Sequence, residues 1–170
     1  MENPIKICLS ILTLCSAMLF TNCSNDNKST SDNLIFPKGE PGPEKNFTGK
    51  AYNFGLVPSD STYNTLVGNV YFEAGARSNW HMHPGGQILI ITDGEGYHQI
   101  EGQPRQIMKK GDVIKCPPNT KHWHGATPSA SLSQMYIVPN TNRGIVTWLE
   151  PVTDEQYNPA NKTQMKITRP

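Results

Sequence analysis

Four of the chain's five histidines fall in two short stretches, Trp80-His81-Met82-His83 and His122-Trp123-His124. In a β-strand, residues i and i+2 share a face. Each stretch therefore sets two imidazoles on one side of a strand. Gln87 follows the first pair after the turn Pro84-Gly85-Gly86, which can return its amide oxygen to the same face. Two such strands side by side would offer three or four ring nitrogens to one divalent ion, at bond lengths of ~2.0–2.2 Å. Gln87 would either join them as an oxygen ligand or hold a hydrogen bond to one of them.

Strands are what the flanking sequence supplies. From Phe47 onward, short apolar runs alternate with turn signals at roughly 8–12-residue spacing, the pattern of an all-β sandwich or barrel. Thr48–Val57 and Asn64–Glu73 are the first two expected strands. In the second, Leu66, Gly68, Val70 and Phe72 share one face. Asn79–His83 carries the first histidine pair. Gln87–Thr92 is a continuous apolar run and is expected to be buried on both faces. Asp93-Gly94 reads as a hairpin turn into Tyr97–Glu101. Gln106–Met108 and Val113–Cys116 follow, then His122–Thr127 with the second pair, then Leu132–Val138 and Val146–Glu150. Helix is expected only near the end, where Thr153 caps a short segment with Gln156 three residues on.

The chain as a whole limits what this barrel can serve. It has 170 residues, enough for one domain with tails. Its net charge is +1 and it has no basic run, which excludes nucleic acid as a partner class. Residues 1–22 read as an export signal. Lys6 is followed by an apolar stretch, Ile7–Phe20, shorter than the ~20 residues needed to span a bilayer. Cys23 stands just after it, and the segment resembles a bacterial lipoprotein signal with Cys23 as the lipidated residue. The expected location is therefore the bacterial cell envelope, held by a lipid anchor, with no other membrane contact. Residues 23–46 form a polar tether (Ser24–Asn33) and an extended Pro/Gly-rich arm. The barrel is expected over 47–158 and a poorly ordered tail over 159–170. Cys116 is the one cysteine of the barrel and reads as a small buried residue. His98 reads as a surface residue. Trp80 and Trp123 have the opposite parity to the histidines and should pack outside the barrel or between subunits. Arg77 reads as a structural contact.

The two histidine stretches resemble the paired motifs of the cupin superfamily. In the first motif, Gly75 is followed by five residues, His81-Met82-His83, three residues, Gln87, six residues and Gly94. In the second, Gly111 is followed by five residues, Pro117-Pro118-Asn119, two residues and His122. The departures are Gln87 for the usual Glu, Asn119 for Gly and Ala126 for a final Asn. The resemblance implies an all-β, cupin-type jelly-roll β-barrel with a short C-terminal helix. A closer resemblance is to the bacterial manganese-dependent cupin hydroxynitrile lyases. It rests on Gly75-Ala76-Arg77, Trp80-His81, His83-Pro84, Gly86-Gln87, Lys121 through Ala126, and Val152 through Tyr157.

By that resemblance His81, His83, Gln87 and His122 hold one divalent metal ion, manganese first, with iron, zinc and nickel as alternatives. His124 stands beside the substrate as the catalytic residue, and Ser78, Val70 and Gln134 line the substrate pocket. Gln134 occupies the place of a second pocket histidine in those lyases. Three neutral histidines and a neutral Gln leave the full charge of the ion uncancelled, which favours Lewis-acid chemistry. The expected function is lyase-type chemistry on a small polar molecule. An iron-dependent oxygenase and a non-catalytic small-ligand binding protein are the alternatives. A homo-oligomer, dimer or tetramer, is the expected assembly.

Overall fold

A computed structural model of the chain describes residues 34–158 and 165–166. The export signal over 1–22, the lipidation at Cys23 and the tether Ser24–Asn33 lie outside the described residues. The elements in chain order are β1 (Glu40–Pro41), β2 (Phe47–Thr48), β3 (Ala51–Val57), β4 (Thr65–Phe72), β5 (Arg77–Ser78), β6 (His81–Met82), β7 (Gln87–Ile100), β8 (Gln106–Lys109), β9 (Val113–Cys116), β10 (His122–Ala126), β11 (Leu132–Pro139), β12 (Thr147–Trp148), α1 (Asp154–Tyr157) and β13 (Met165–Lys166). The fold is a curled antiparallel β-sheet of jelly-roll type with one short helix. Its only parallel pair among the described residues is β13 on β8, Met165 beside Gln106 and Lys166 beside Ile107.

β7 makes the curl. Its first half pairs with β11 and β9 on one wall, and its second half pairs with β10 and β8 on the other. Asp93-Gly94 is therefore not a hairpin turn. The strand runs through it and bends. Gly94 sits at φ +77°, and a Cβ there would lie 2.0 Å from the Ser131 carbonyl oxygen, so this close approach requires glycine. Thr92 is the extra residue of a bulge beside it, where the register steps between Ser133 and Gln134. The Thr92 hydroxyl hydrogen-bonds the carbonyl and hydroxyl oxygens of Ser133 at 3.1 and 3.0 Å.

The apolar run of β7 is not buried on both faces. Leu89 and Ile91 are fully buried, whereas Ile88 and Ile90 are half-buried on the outer face. Alternation survives because one side of this wall faces the core and the other does not. Leu89 and Ile91 join Val70, Phe72, Met108, Ile114 and Leu132 in the barrel core.

A second cluster lies outside the barrel. Trp80 and Trp123 pack there with Tyr97, Val152 and Tyr157, as their parity requires. α1 closes over them. Thr153 and Gln156 form the expected capping box, each side chain satisfying the other's backbone N–H. Arg77 donates to the Val152 carbonyl oxygen (3.0 and 3.2 Å) and to Asp154 (2.6 Å), and the Tyr157 hydroxyl donates to the Ala126 carbonyl oxygen at 2.7 Å.

Candidate metal centre

β6 and β10 lie side by side, with His122 directly opposite His81. A backbone bond from Asn119 N–H to the His83 carbonyl oxygen (2.9 Å) ties the loops of the two motifs together. Asn119 adopts φ +56°, the left-handed conformation that glycine usually supplies there. β6 itself is only two residues long. Pro84 lacks the N–H to extend it, and Gly86 turns the chain back through a bond to the His83 carbonyl oxygen (3.0 Å). That turn delivers Gln87 to the site.

His81, His83 and His122 are all buried, and one ring nitrogen of each lies within 4.8 Å of the others, an arrangement that could hold a metal ion. Their outward nitrogens are fixed by the backbone. Nδ1–H of His81 donates to the Asn79 carbonyl oxygen (2.9 Å), that of His83 to Ile145 (2.6 Å) and that of His122 to Thr120 (2.8 Å). With the proton on Nδ1, each neutral ring presents a bare Nε2 lone pair inward, as metal ligation requires. His83 Nε2 is buried with no protein partner. Gln87 Oε1 lies 3.1 Å from His122 Nε2. A shared cation satisfies both acceptors, and 3.1 Å suits two adjacent ligands on bonds of ~2.0–2.2 Å. The residues present thus fit a divalent ion.

Burial keeps these rings uncharged. It holds His81 down to about 3 and His122 to about 2, against small upward pulls from their backbone acceptors. His83 is lowered by the same cause. His124, fully enclosed and facing the other rings, is pushed well below the ordinary imidazole range, first by burial and then by its histidine neighbours. The unperturbed value near ~6.5 therefore does not describe it.

His124 shares the cavity with His81, His83 and Gln87. Its Nδ1 accepts from Gln134 Nε2 at 2.7 Å, and its Nε2 is buried with no protein partner. Its backbone N–H donates to Ser78 Oγ at 3.2 Å. Val70 lines the cavity, whereas Ser78 and Gln134 stand behind His124 and hold it. The cavity is about 220 Å³ and mainly apolar. That is below the ~300–1,000 Å³ of sites for drug-sized ligands and suits a smaller molecule.

Several residues of this site were not anticipated. His98 is 1 % exposed and not on the surface. β7 runs past Gly94 and places it opposite His124 in register, so it faces inward. Its Nε2 meets Cys116 Sγ at 3.3 Å, and its ring lies 5.6 Å from that of His122. Trp148 leans on the His81 ring (4.9 Å) and touches Phe47 edge-on (5.6 Å) at the cavity mouth. Tyr136 also lines the cavity. Its parity with Gln134 on β11 was the available signal.

The comparisons with known proteins agree with this geometry. Residues 68–138 match the family model described as Cupin domain. The (R)-mandelonitrile lyase of Granulicella tundricola is 40% identical over 116 residues, covering 68% of this chain and 88% of that protein. The crystal structure of a cupin-like protein from Thermotoga maritima superposes with a TM-score of 0.71 at 47% identity, over 72% of this chain and 93% of that one. A cupin 2 conserved barrel domain protein from Rhodopseudomonas palustris shares the fold at a TM-score of 0.56 and 20% identity, over 64% of this chain and 74% of that one. With two histidine motifs converging in a jelly-roll barrel and a relative of this identity and coverage, the chain belongs to the cupin superfamily.

Proposed function

We propose that this protein is a metal-dependent lyase acting on small cyanohydrin-type molecules. The observation that carries the reading is the placement of a buried, partnerless His124 Nε2 in the same small cavity as three histidines able to hold an ion. The 40% identical relative with a lyase name supports it.

When bound, a divalent ion, manganese in this reading, supplies Lewis-acid polarisation of a substrate oxygen. His81, His83 and His122 hold it, with Gln87 as a fourth, uncharged ligand. In cyanohydrin cleavage the hydroxyl loses its proton, the bond to the nitrile carbon breaks with its electron pair on cyanide, and cyanide takes up a proton. His124 Nε2 is the group placed to move that proton. Gln134 sets its role. With the amide N–H donating, His124 Nδ1 accepts and the neutral ring carries its proton on Nε2, where it can hydrogen-bond a substrate oxygen but has no lone pair to take the hydroxyl proton. With the Gln134 amide turned end for end, Oε1 accepts from Nδ1–H, and the bare Nε2 takes the hydroxyl proton and gives it to the departing cyanide. The apolar cavity wall excludes water from the transfer.

The test is cleavage of mandelonitrile by protein loaded with manganese, followed by the appearance of benzaldehyde. Wild-type turnover with loss of activity but retained metal in His124→Ala is the expected result. No turnover of any cyanohydrin by metal-loaded protein would overturn the reading.

A further inference from the structure

Besides the histidines, Gln87 and the buried Asn46, the cavity lining has one further polar pair. It lies on the inner face of the facing wall at the cavity's open end, where Asn53 is exposed and Tyr136 half-buried. There Tyr136 of β11 lies flat across Gly68 of β4. A Cβ on Gly68 would come within 2.3 Å of the phenol oxygen and 2.5 Å of the carbon that bears it, so the ring can lie there only over a glycine. Reaching past Gly68, the hydroxyl donates to Asn53 Oδ1 of β3 at 3.0 Å. Asn53 and Tyr136 line the same cavity as His81, His83, Gln87 and His124, with Leu66 and Val70 among the apolar residues. The Asn53 amide brings two N–H donors to this end, and the phenol oxygen brings lone pairs. No Lys, Arg, Asp or Glu is among the described residues lining the cavity. This end therefore offers an uncharged, solvent-open hydrogen-bonding pair to a ligand.

We propose that Tyr136 and Asn53 form a second polar subsite, which selects substrates carrying a neutral hydroxyl or carbonyl across a flat apolar body from the reacting carbon–oxygen group. The proposal rests on the reading of the histidine end as the reacting end. It assigns specificity to Tyr136 and Asn53 and leaves proton transfer to His124. It also gives Gly68 a function: the missing side chain is the bed on which the tyrosine lies.

Two aldehydes of matched shape test it, 4-(hydroxymethyl)benzaldehyde and 4-ethylbenzaldehyde, with dissociation constants measured by titration calorimetry on manganese-loaded protein. Wild type should favour the hydroxymethyl compound. In Tyr136→Phe that preference should fall about three- to tenfold, the size of one neutral hydrogen bond. Binding of the ethyl compound should be unchanged, which also shows that the variant is folded. Gly68→Ala, by displacing the ring, should lose the same preference. A preference equal in wild type and Tyr136→Phe, or none in wild type, overturns the proposal. The readout is binding and not turnover, so the two readings fail separately. Preference without any cyanohydrin cleavage would keep the subsite and remove the lyase. Cleavage without preference would do the reverse.

Discussion

Gln87 Oε1 stands 3.1 Å from His122 Nε2, and neither atom carries a proton. Two buried lone pairs facing each other are unfavourable until a cation lies between them. In the proposed reading, where Gln87 is a ligand, Gln87→Glu replaces a neutral ligand by a charged one. The expected outcome is metal held about tenfold more tightly against a chelator, as when a neutral contact becomes charge-assisted. Turnover should fall, because the carboxylate cancels part of the ion's charge. Chelator titration and kcat on the same samples check both.

His81→Ala removes one of the three converging nitrogens and should weaken metal binding by more than about 100-fold, since even outer partners of a ligand are worth 10–100-fold. Metal content after dialysis, measured beside circular dichroism, reads this directly. A variant that keeps its metal would remove His81 from the site.

The buried rings make the metal-free protein sensitive to acid. Folding lowers His81 from 6.5 to about 3 and His98 from 6.5 to about 4, in both cases chiefly by burial. Below about pH 6.5 the unfolded chain takes up these protons and the folded chain does not. Stability should therefore be level above that pH. It should fall toward pH 4 for His98 and pH 3 for His81, by at most ~1.4 kcal/mol per pH unit per ring. Melting of chelator-treated protein between pH 8 and 4 checks the sign. His98→Gln should flatten the slope.

Cys116 is 3 % exposed, and burial pushes its thiol up to about 12. It should not react with a thiol reagent at pH 8 while the protein is folded, and should react with one equivalent after denaturation. Prompt labelling of the native protein would contradict the packing of Cys116 against His98.

The C-terminal segment holds the outer cluster in place. Thr153→Ala breaks the capping box and should cost about 1 kcal/mol. Arg77→Leu leaves the Val152 carbonyl without its donor and should cost about 1–3 kcal/mol. Urea denaturation distinguishes the two magnitudes.

Much of this molecule was legible in the chain. The spacing of His81, His83 and His122, the outward parity of Trp80 and Trp123, and the Thr153–Gln156 cap are all local relations. A strand repeats every two residues and a capping box links residues three apart, whatever lies around them. What failed were readings of neighbourhood. Asp93-Gly94 has the composition of a hairpin, but β7 continues through it because both halves find partners on opposite walls. His98 reads as a surface residue from the chain alone because nothing near it in sequence shows which strand it faces.

The sequence by itself therefore determined which residues share a face, and with that an all-β chain carrying a histidine site. Only the tertiary structure decided what those faces meet: Gln134 on His124, Cys116 on His98, and Tyr136 across Gly68 to Asn53. The physical reason is range. Face alternation follows from backbone dihedrals that each residue sets with its immediate neighbours. Contacts between strands follow from register, which is decided by the burial of the whole sheet at once.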